Sequence, residues 1–334
     1  MKNVFKKFIA VIISAVIMLS LTCCEIDKTQ AQVNNNASLN IVTTIFPYFD
    51  FTKNVAGDRA NIKMLISPGA EVHNFEPSPS DIISIENCDL FIYNGGESDE
   101  WVEKILASLD GKVNVLRMFD YVSLLGEDEI EFAADDEHTD HDHNHEHHDH
   151  EHNEEKEYDE HIWTSPKNAA TLSKAIADKL CEIDEKNVDT YKSNLKAYEN
   201  QLSIVDNSFR QAVENGARNK IVVADRFPFL YFTQEYGLDY SCAFPGCSSQ
   251  TEPSVKIVTS LIDTVRSEKI PAVFYLEMSS RATADILCED THAKPLMLHS
   301  CQNITKDEYK RGESYISLMT KNAENLKEAL SICH

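Results

Sequence analysis

Short apolar runs bounded by turn residues recur along the chain at the spacing of strand–helix units. Leu39–Ile45 (LNIVTTI), Asn61–Ile66 (NIKMLI), Asp89–Tyr93 (DLFIY) and Lys112–Leu116 (KVNVL) read as strands. Between them, Ser80–Glu86 and Ser98–Leu109 read as helices. The second has Ser98 as its N-cap, with Trp101, Ile105 and Leu109 on one face. A second set follows at Lys220–Ala224 (KIVVA), Leu238–Ala243, Ala272–Leu276 (AVFYL) and Pro295–Leu298 (PLML). Alternation of this kind predicts an α/β fold of two lobes, each a parallel sheet flanked by helices.

Between the two sets, Val188–Gly216 contains no proline and no internal glycine. Tyr191, Leu195, Tyr198, Leu202, Val205, Phe209 and Ala212 repeat at alternating intervals of four and three. That period predicts one helix of ~28 residues, roughly 42 Å long, with a single apolar stripe, ending at Gly216. The stripe suits a strut joining the lobes, and a continuous helix is a stiff hinge. The domain expectation is therefore a lobe over 39–187, a linking helix over 188–216 and a second lobe over 217–334.

The amino terminus follows a different pattern. Lys2, Lys6 and Lys7 precede an apolar run from Phe8 to Leu21. Fourteen residues fall short of the ~20 that a membrane helix needs and suit the core of a secretory signal. The run ends in Leu21-Thr22-Cys23-Cys24, which resembles the lipobox of bacterial lipoproteins. Residues 1–23 then form the cleaved signal, and the thiol at Cys24 (with Cys23 as the other candidate) carries the lipid. Residues 24–38 are a polar, flexible tether. The expected location is extracytoplasmic, lipid-anchored at the cell membrane.

Composition describes an ordinary globular chain with one extreme insert. Of 334 residues, 42% are hydrophobic and 26% charged, enough for a packed core. The formal charge of −24 argues against nucleic acid as a partner. Seventeen Asp/Glu and the single Lys156 lie between Glu127 and Glu160, so this stretch supplies −16 of that charge. Residues 135–160 also hold His138, His141, His143, His145, His147, His148, His150 and His152. With no apolar period, the segment should be a mobile loop, and its imidazoles and carboxylates suit capture of divalent metal. Beyond the lipobox pair, seven irregularly spaced cysteines do not make a disulfide framework, and buried thiols are the expectation for most. Cys242 and Cys247 are a weak signal for zinc or a bridge.

In parallel α/β sheets, ligands bind beyond the carboxyl ends of the strands. Metal-competent side chains at such places are His73, after the Pro68-Gly69 turn, and His161, ahead of a proline-started helix. In the second half Asp225 follows KIVVA, Glu277 follows AVFYL and His299 follows PLML. If the lobes face each other, these residues converge on a cleft. Asp225 and Glu277 have a competing use as ion-pair partners of Arg226 and Arg281.

TTIFPYFDFTKNVAGD, PGAEVHNFEPSPSD, LFIYNGGESDEWVEKIL, DEHIWTSPKNA and YFTQEYGL resemble the substrate-binding lipoproteins of bacterial zinc/manganese ABC importers, over about residues 40–330. The His-rich insert resembles that of the zinc-binding members. The resemblance implies two α/β lobes, a long backbone helix and one metal ion between the lobes. His73 matches the family's first histidine and His161 its second. The third ligand position falls on Arg226, which cannot bind a cation; Asp225 is the nearest substitute. Near the fourth position the sequence reads His299-Ser300, with Cys301 as a weak soft-ligand candidate.

The expected site is thus His73, His161 and His299, completed by water or by Asp225 or Glu277. Three imidazoles suit Zn²⁺, whereas an Mn²⁺ site would carry more oxygen ligands. Arg226 should pair with Asp225 or Glu277. The expected function is non-enzymatic: a monomer captures zinc outside the cytoplasm and hands it to an ABC permease in the membrane. Competing classes are a manganese-binding member of the family, a secreted zinc hydrolase, and a surface adhesin or zinc store using the His-rich loop alone. No HExxH motif supports the hydrolase.

Overall fold

Eight strands form in two sets of four, as the apolar runs predict. In the computed structural model, β1 (Leu39–Thr43), β2 (Ala60–Met64), β3 (Leu90–Tyr93) and β4 (Val115–Arg117) make one parallel sheet in the order β2-β1-β3-β4. β5 (Lys220–Phe227), β6 (Asp239–Pro245), β7 (Ala272–Tyr275) and β8 (Lys294–Met297) make a second in the equivalent order β6-β5-β7-β8. Each sheet therefore changes its direction of growth between its first and third strands, at β1/β3 and at β5/β7.

The structure describes residues 39–72, 75–109, 111, 113–127, 157–246 and 253–331. The export signal with Cys23 and Cys24, the tether, His73, the loop histidines from His138 to His152, and Cys247 lie outside the described residues.

Helices cover both faces of each sheet. On one face of the first sheet lie α2 (Pro79–Glu86) and α3 (Glu100–Ser108), where Ile85 and Val102 pack against Val42 and Phe91. On one face of the second lie α7 (Val255–Ser267) and α8 (Ala282–Thr291), where Leu261, Val265 and Leu287 pack against Val222 and Val273. The remaining helices share one continuous core with the other face of both sheets. They are α1 (Phe46–Ala56), α4 (Pro166–Ile183), α5 (Val188–Glu214), α6 (Leu230–Tyr236) and α10 (Tyr315–Leu330), with the short α9 (Lys306–Arg311) beside them.

α5 is the expected long helix, 27 residues and so about 40 Å. Its stripe buries Tyr191, Tyr198, Leu202, Val205, Phe209 and Ala212, with Leu195 partly buried. The helix packs against α1, α4 and α10. Burial of such a stripe stabilises by about 1.5–3 kcal/mol per large side chain and holds the helix in place.

Hydrogen bonds between the two halves accompany the apolar core. Asn303 Nδ2 donates to the carbonyls of Ser67 (3.0 Å) and Ala70 (2.8 Å). The Gly69 amide donates to the Ile304 carbonyl at 2.8 Å. The loop after β2 is thereby fastened to the far half of the molecule.

Two local expectations are corrected. α3 starts at Glu100 with Asp99, not Ser98, at the N-cap, preceded by a single 3₁₀ turn at Glu97–Asp99. The Ser98 amide is drawn instead to Glu160 Oε1 at 2.7 Å, and Asp99 accepts from the amides of Asn94 and Gly95. β5 runs past Ala224 to Phe227 because its register against β6 shifts between Val223 and Arg226, letting the strand carry Asp225 and Arg226 through an irregularity.

Candidate metal centre

A cavity of about 280 Å³ opens beyond the carboxyl ends of β5 and β7, the switch point of the second sheet. Ala70, Glu71 and Val72, from the loop after β2, form one side. Asp225 and Arg226 from β5, and Leu276 and Glu277 after β7, form the other. His161 and Gly246 also line it. Three of the candidates, His161, Asp225 and Glu277, therefore share one cavity.

His161 is positioned by its neighbours in sequence and by the root of the acidic insert. The Asp159 amide donates to the Leu125 carbonyl (2.9 Å), the Glu127 amide to the Glu157 carbonyl (3.1 Å), and Gly126 pairs with Tyr158 in an antiparallel bridge. Asp159 then grips His161 twice. Its Oδ1 accepts the His161 amide at 2.9 Å, and its Oδ2 lies 3.4 Å from Nδ1. A carboxylate can only accept, so it holds the proton on Nδ1 and makes Nε2 the electron-pair donor, as in many carboxylate–histidine–zinc units. The ring is 1% exposed. Burial pulls its pKa down most strongly, but the Asp159, Glu160 and Glu127 carboxylates together outweigh it and hold the imidazole above the ordinary histidine value. Gly246 fits against the ring: a Cβ there would sit 3.0 Å from His161 Cε1 and 3.0 Å from the Phe227 carbonyl.

Glu277 is fixed by Ser300. Its Oε2 accepts the Ser300 amide at 2.8 Å and its Oε1 accepts the Ser300 hydroxyl. Asp225 is turned toward backbone, Oδ1 accepting the Arg226 amide at 2.9 Å and Oδ2 the Leu276 amide at 3.5 Å. Each carboxylate keeps lone pairs for a cation after these bonds.

His299 departs from the expected place. It is 3% exposed and is not among the residues lining the cavity. Asn322 holds both of its backbone groups, accepting from the His299 amide (2.8 Å) and donating to its carbonyl (2.8 Å). The Cys301 amide donates to Nδ1 at 2.9 Å, which commits that nitrogen's lone pair. Nδ1 lies 3.7 Å from Glu277 and Nε2 3.6 Å from Glu308, so the ring is wedged between two carboxylates. Here the imidazole lies beside Glu277 and outside the cavity lining. Cys301 is fully buried in the apolar core and likewise absent from the lining.

Among the described residues no three His, Cys, Asp or Glu side chains are gathered closely enough to hold a metal ion. His161 and Glu277 supply two donors from different elements, and the loop Ala70–Val72 leads directly into residue 73.

Arg226 has a different partner from the one expected. Its Nη1 lies 3.8 Å from Glu71 Oε1, so the pair spans the cavity from the second sheet to the loop of the first. Asp225 and Glu277 are engaged by backbone and by Ser300 instead.

Sequence reading missed Glu71, Asp159, Ser300 and Gly246 as parts of the site. Asp159 carries a local signal, a carboxylate two residues before a candidate ligand; the others act across the fold. Backbone strain also marks the site. Met278 (φ 61°), Arg281 (φ 59°) and Cys301 (φ 59°) are left-handed without being glycine; the first two follow Glu277 and the third follows His299 by two residues. Cys242 is fully buried, and burial pushes its thiol up to about 12.

Residues 41–329 match the family model described as zinc-uptake complex component A, periplasmic. The zinc-binding lipoprotein AdcA of Streptococcus pneumoniae is 34% identical over 323 residues, covering 96% of this chain and 61% of the AdcA sequence. The chain thus spans about three fifths of the length of that relative. The high-affinity zinc uptake system protein ZnuA of Bacillus subtilis is 29% identical over 329 residues, covering 98% of this chain and 99% of ZnuA. Among solved structures, the Zn(II)-bound ZnuA-like domain of S. pneumoniae AdcA superposes with a TM-score of 0.71 at 30% identity, covering 88% of this chain and 99% of that one. The metal-dependent lipoprotein YcdH of B. subtilis gives 0.72 at 26% identity, covering 88% and 100%. Both neighbours share the two-lobed fold. With nearly the whole folded region matched, this chain belongs to the zinc-uptake complex component A family.

Proposed function

We propose that this protein is the extracytoplasmic substrate-binding component of a zinc ABC importer, and that zinc is its cargo. The observation that carries the reading is the pairing of two pre-oriented donors on one cavity. His161 is aimed by Asp159, and Glu277 is clamped by Ser300. His73 continues the loop that forms the facing wall and is the third donor. Asp225 or water completes a tetrahedral shell. His299 lies outside this shell, beside Glu277. All of these groups belong to one chain, so a monomer suffices.

The lobes over 39–187 and 217–334, joined through 188–216, supply the two walls. Cys24 carries a lipid that keeps the protein near its permease, raising the effective concentration of the encounter. The acidic, His-rich loop gathers cations within about a Debye length, ~8 Å at physiological salt, and feeds the cavity. Cation–carboxylate and cation–imidazole bonds within the cavity then hold the ion until docking separates the walls.

Zinc titration of the whole chain tests this, with variants His73→Ala, His161→Ala and Glu277→Gln and a deletion of residues 138–152. One tight equivalent in the parent and in the deletion, lost in each point variant, is the expected result. Loss of all binding on deleting the loop would make the loop the entire metal site and overturn the reading.

A further inference from the structure

Arg226 lines the same cavity as His161, Asp225 and Glu277, yet a guanidinium has five donors, no lone pair and a permanent charge. It can act on a bound cation only through its field, and that field opposes binding. Its charge is only loosely balanced. Its ion-pair partner among the described residues is Glu71, at 3.8 Å, beyond hydrogen-bond range, and the Glu71 side chain is 57% exposed. The other two carboxylates lining the cavity direct their oxygens elsewhere, Asp225 to backbone amides and Glu277 to Ser300. The irregularity in β5 between Val223 and Arg226 is what carries this side chain to the cavity wall.

We propose that Arg226 is an affinity-setting residue: a tethered cation that weakens the hold of the cavity on its divalent cargo, with Glu71 across the cavity moderating it. The inference rests on the zinc-capture reading above. Like charges in one cavity compete for the same negative potential, so the guanidinium raises the energy of the loaded state without touching the ligands. Glu71 offsets part of that repulsion. A carrier must surrender its ion as well as bind it, and a repulsion present only when the ion is bound speeds release.

The proposal fixes opposite signs for two neighbouring residues. Arg226→Gln tightens zinc binding on the order of tenfold, the scale of one unit charge acting on a divalent ion at a partly screened site. The gain appears as slower release. Arg226→Lys, which keeps the charge, restores the parent's affinity. Glu71→Gln weakens binding several-fold, because it leaves the guanidinium unopposed. A mere structural latch would instead make both removals act in the same direction.

Competition titration with a chromogenic zinc chelator reads the affinities, stopped-flow transfer to excess chelator reads release, and circular dichroism confirms the fold of each variant. Should Arg226→Gln fail to fold, Arg226→Met removes the same charge and decides the sign, with Glu71→Gln as the opposing arm. Unchanged or weaker binding in a folded Arg226→Gln overturns the inference, weaker binding meaning that the guanidinium recruits an anionic co-ligand. Tighter binding in Glu71→Gln overturns it too. Failure of the parent chain to bind zinc at all would instead overturn the zinc-capture reading.

Discussion

The indole Nε1 of Trp163 donates to the carbonyl of Ser300 at 2.8 Å, joining residues 137 positions apart in sequence. Trp163 lies two residues after His161, and its ring meets the imidazole edge-on at 5.5 Å. Ser300 is the residue that clamps Glu277. A single hydrogen bond therefore ties the support of one candidate donor to the support of the other. Tyr315 completes the brace, its hydroxyl donating to the Trp163 carbonyl at 2.7 Å.

Trp163→Phe should keep most of the buried apolar area while leaving the Ser300 carbonyl without its donor. An unsatisfied buried acceptor costs ~1–3 kcal/mol, and part of that strain falls on Glu277. The expected outcome is a lower unfolding midpoint in urea together with weaker zinc binding. A variant destabilised by that amount but with the parent's zinc affinity would show that the brace serves the fold alone.

Asp159→Asn removes the charge that orients His161 but preserves the shape of the site. The amide can still accept the His161 backbone N–H, so the turn before α4 should persist. Losing the carboxylate behind a ligating imidazole costs about 10–100-fold in metal affinity. Calorimetric titration of the variant checks this, and an undiminished affinity would remove His161 Nε2 from the proposed shell.

Gly246→Ala tests the closeness of the wall behind His161. The new Cβ, 3.0 Å from both the imidazole and the Phe227 carbonyl, has no room unless one of them shifts. Backbone yields less easily than a ring, so the imidazole should rotate away from its Asp159 anchor. Overpacking of this kind costs roughly 1–3 kcal/mol. Zinc affinity should drop by about tenfold or more, the equivalent of ~1.4 kcal/mol. NMR of the His161 ring would report its displacement.

Much of this architecture is legible from local pattern. The stripe from Tyr191 to Ala212 needs only the helical period, and every strand run coincides with an observed strand to within a few residues. The placement of His161, Asp225 and Glu277 followed from their positions at strand ends or loops. What the sequence withholds is direction and distant partnership. Nothing local distinguishes a strand-end histidine facing the cavity from one turned inward by Asn322 and Cys301, which is the case for His299. Likewise Glu71 reads as an ordinary loop carboxylate until the fold sets it opposite Arg226. The strand-end shift at β5 has the same origin: two charged residues end an apolar run, but the sheet continues through them by slipping register.

Asp50 offers a test of stability separate from the metal. It lies in α1, 4% exposed, where its carboxylate accepts from the Tyr315 amide at 3.1 Å and from the Tyr198 hydroxyl at 3.4 Å, joining α1, α5 and α10. Burial raises its pKa from 3.8 to about 6, against the opposing pull of the Tyr315 amide and Lys53. The folded protein thus binds this proton more tightly than the unfolded chain does. The stabilisation is fully present below the unfolded value near pH 4 and is lost as pH rises through about 6. Asp50→Asn retains an acceptor for Tyr315 without the buried charge. It should therefore raise unfolding free energy at pH 7.5 by ~1–3 kcal/mol and change it little at pH 4. Urea melts of the zinc-free protein at the two pH values measure both numbers. An equal effect at both pH values would mean that the carboxylate does not titrate between them, and that its contribution to the three-helix junction is one of hydrogen bonding alone.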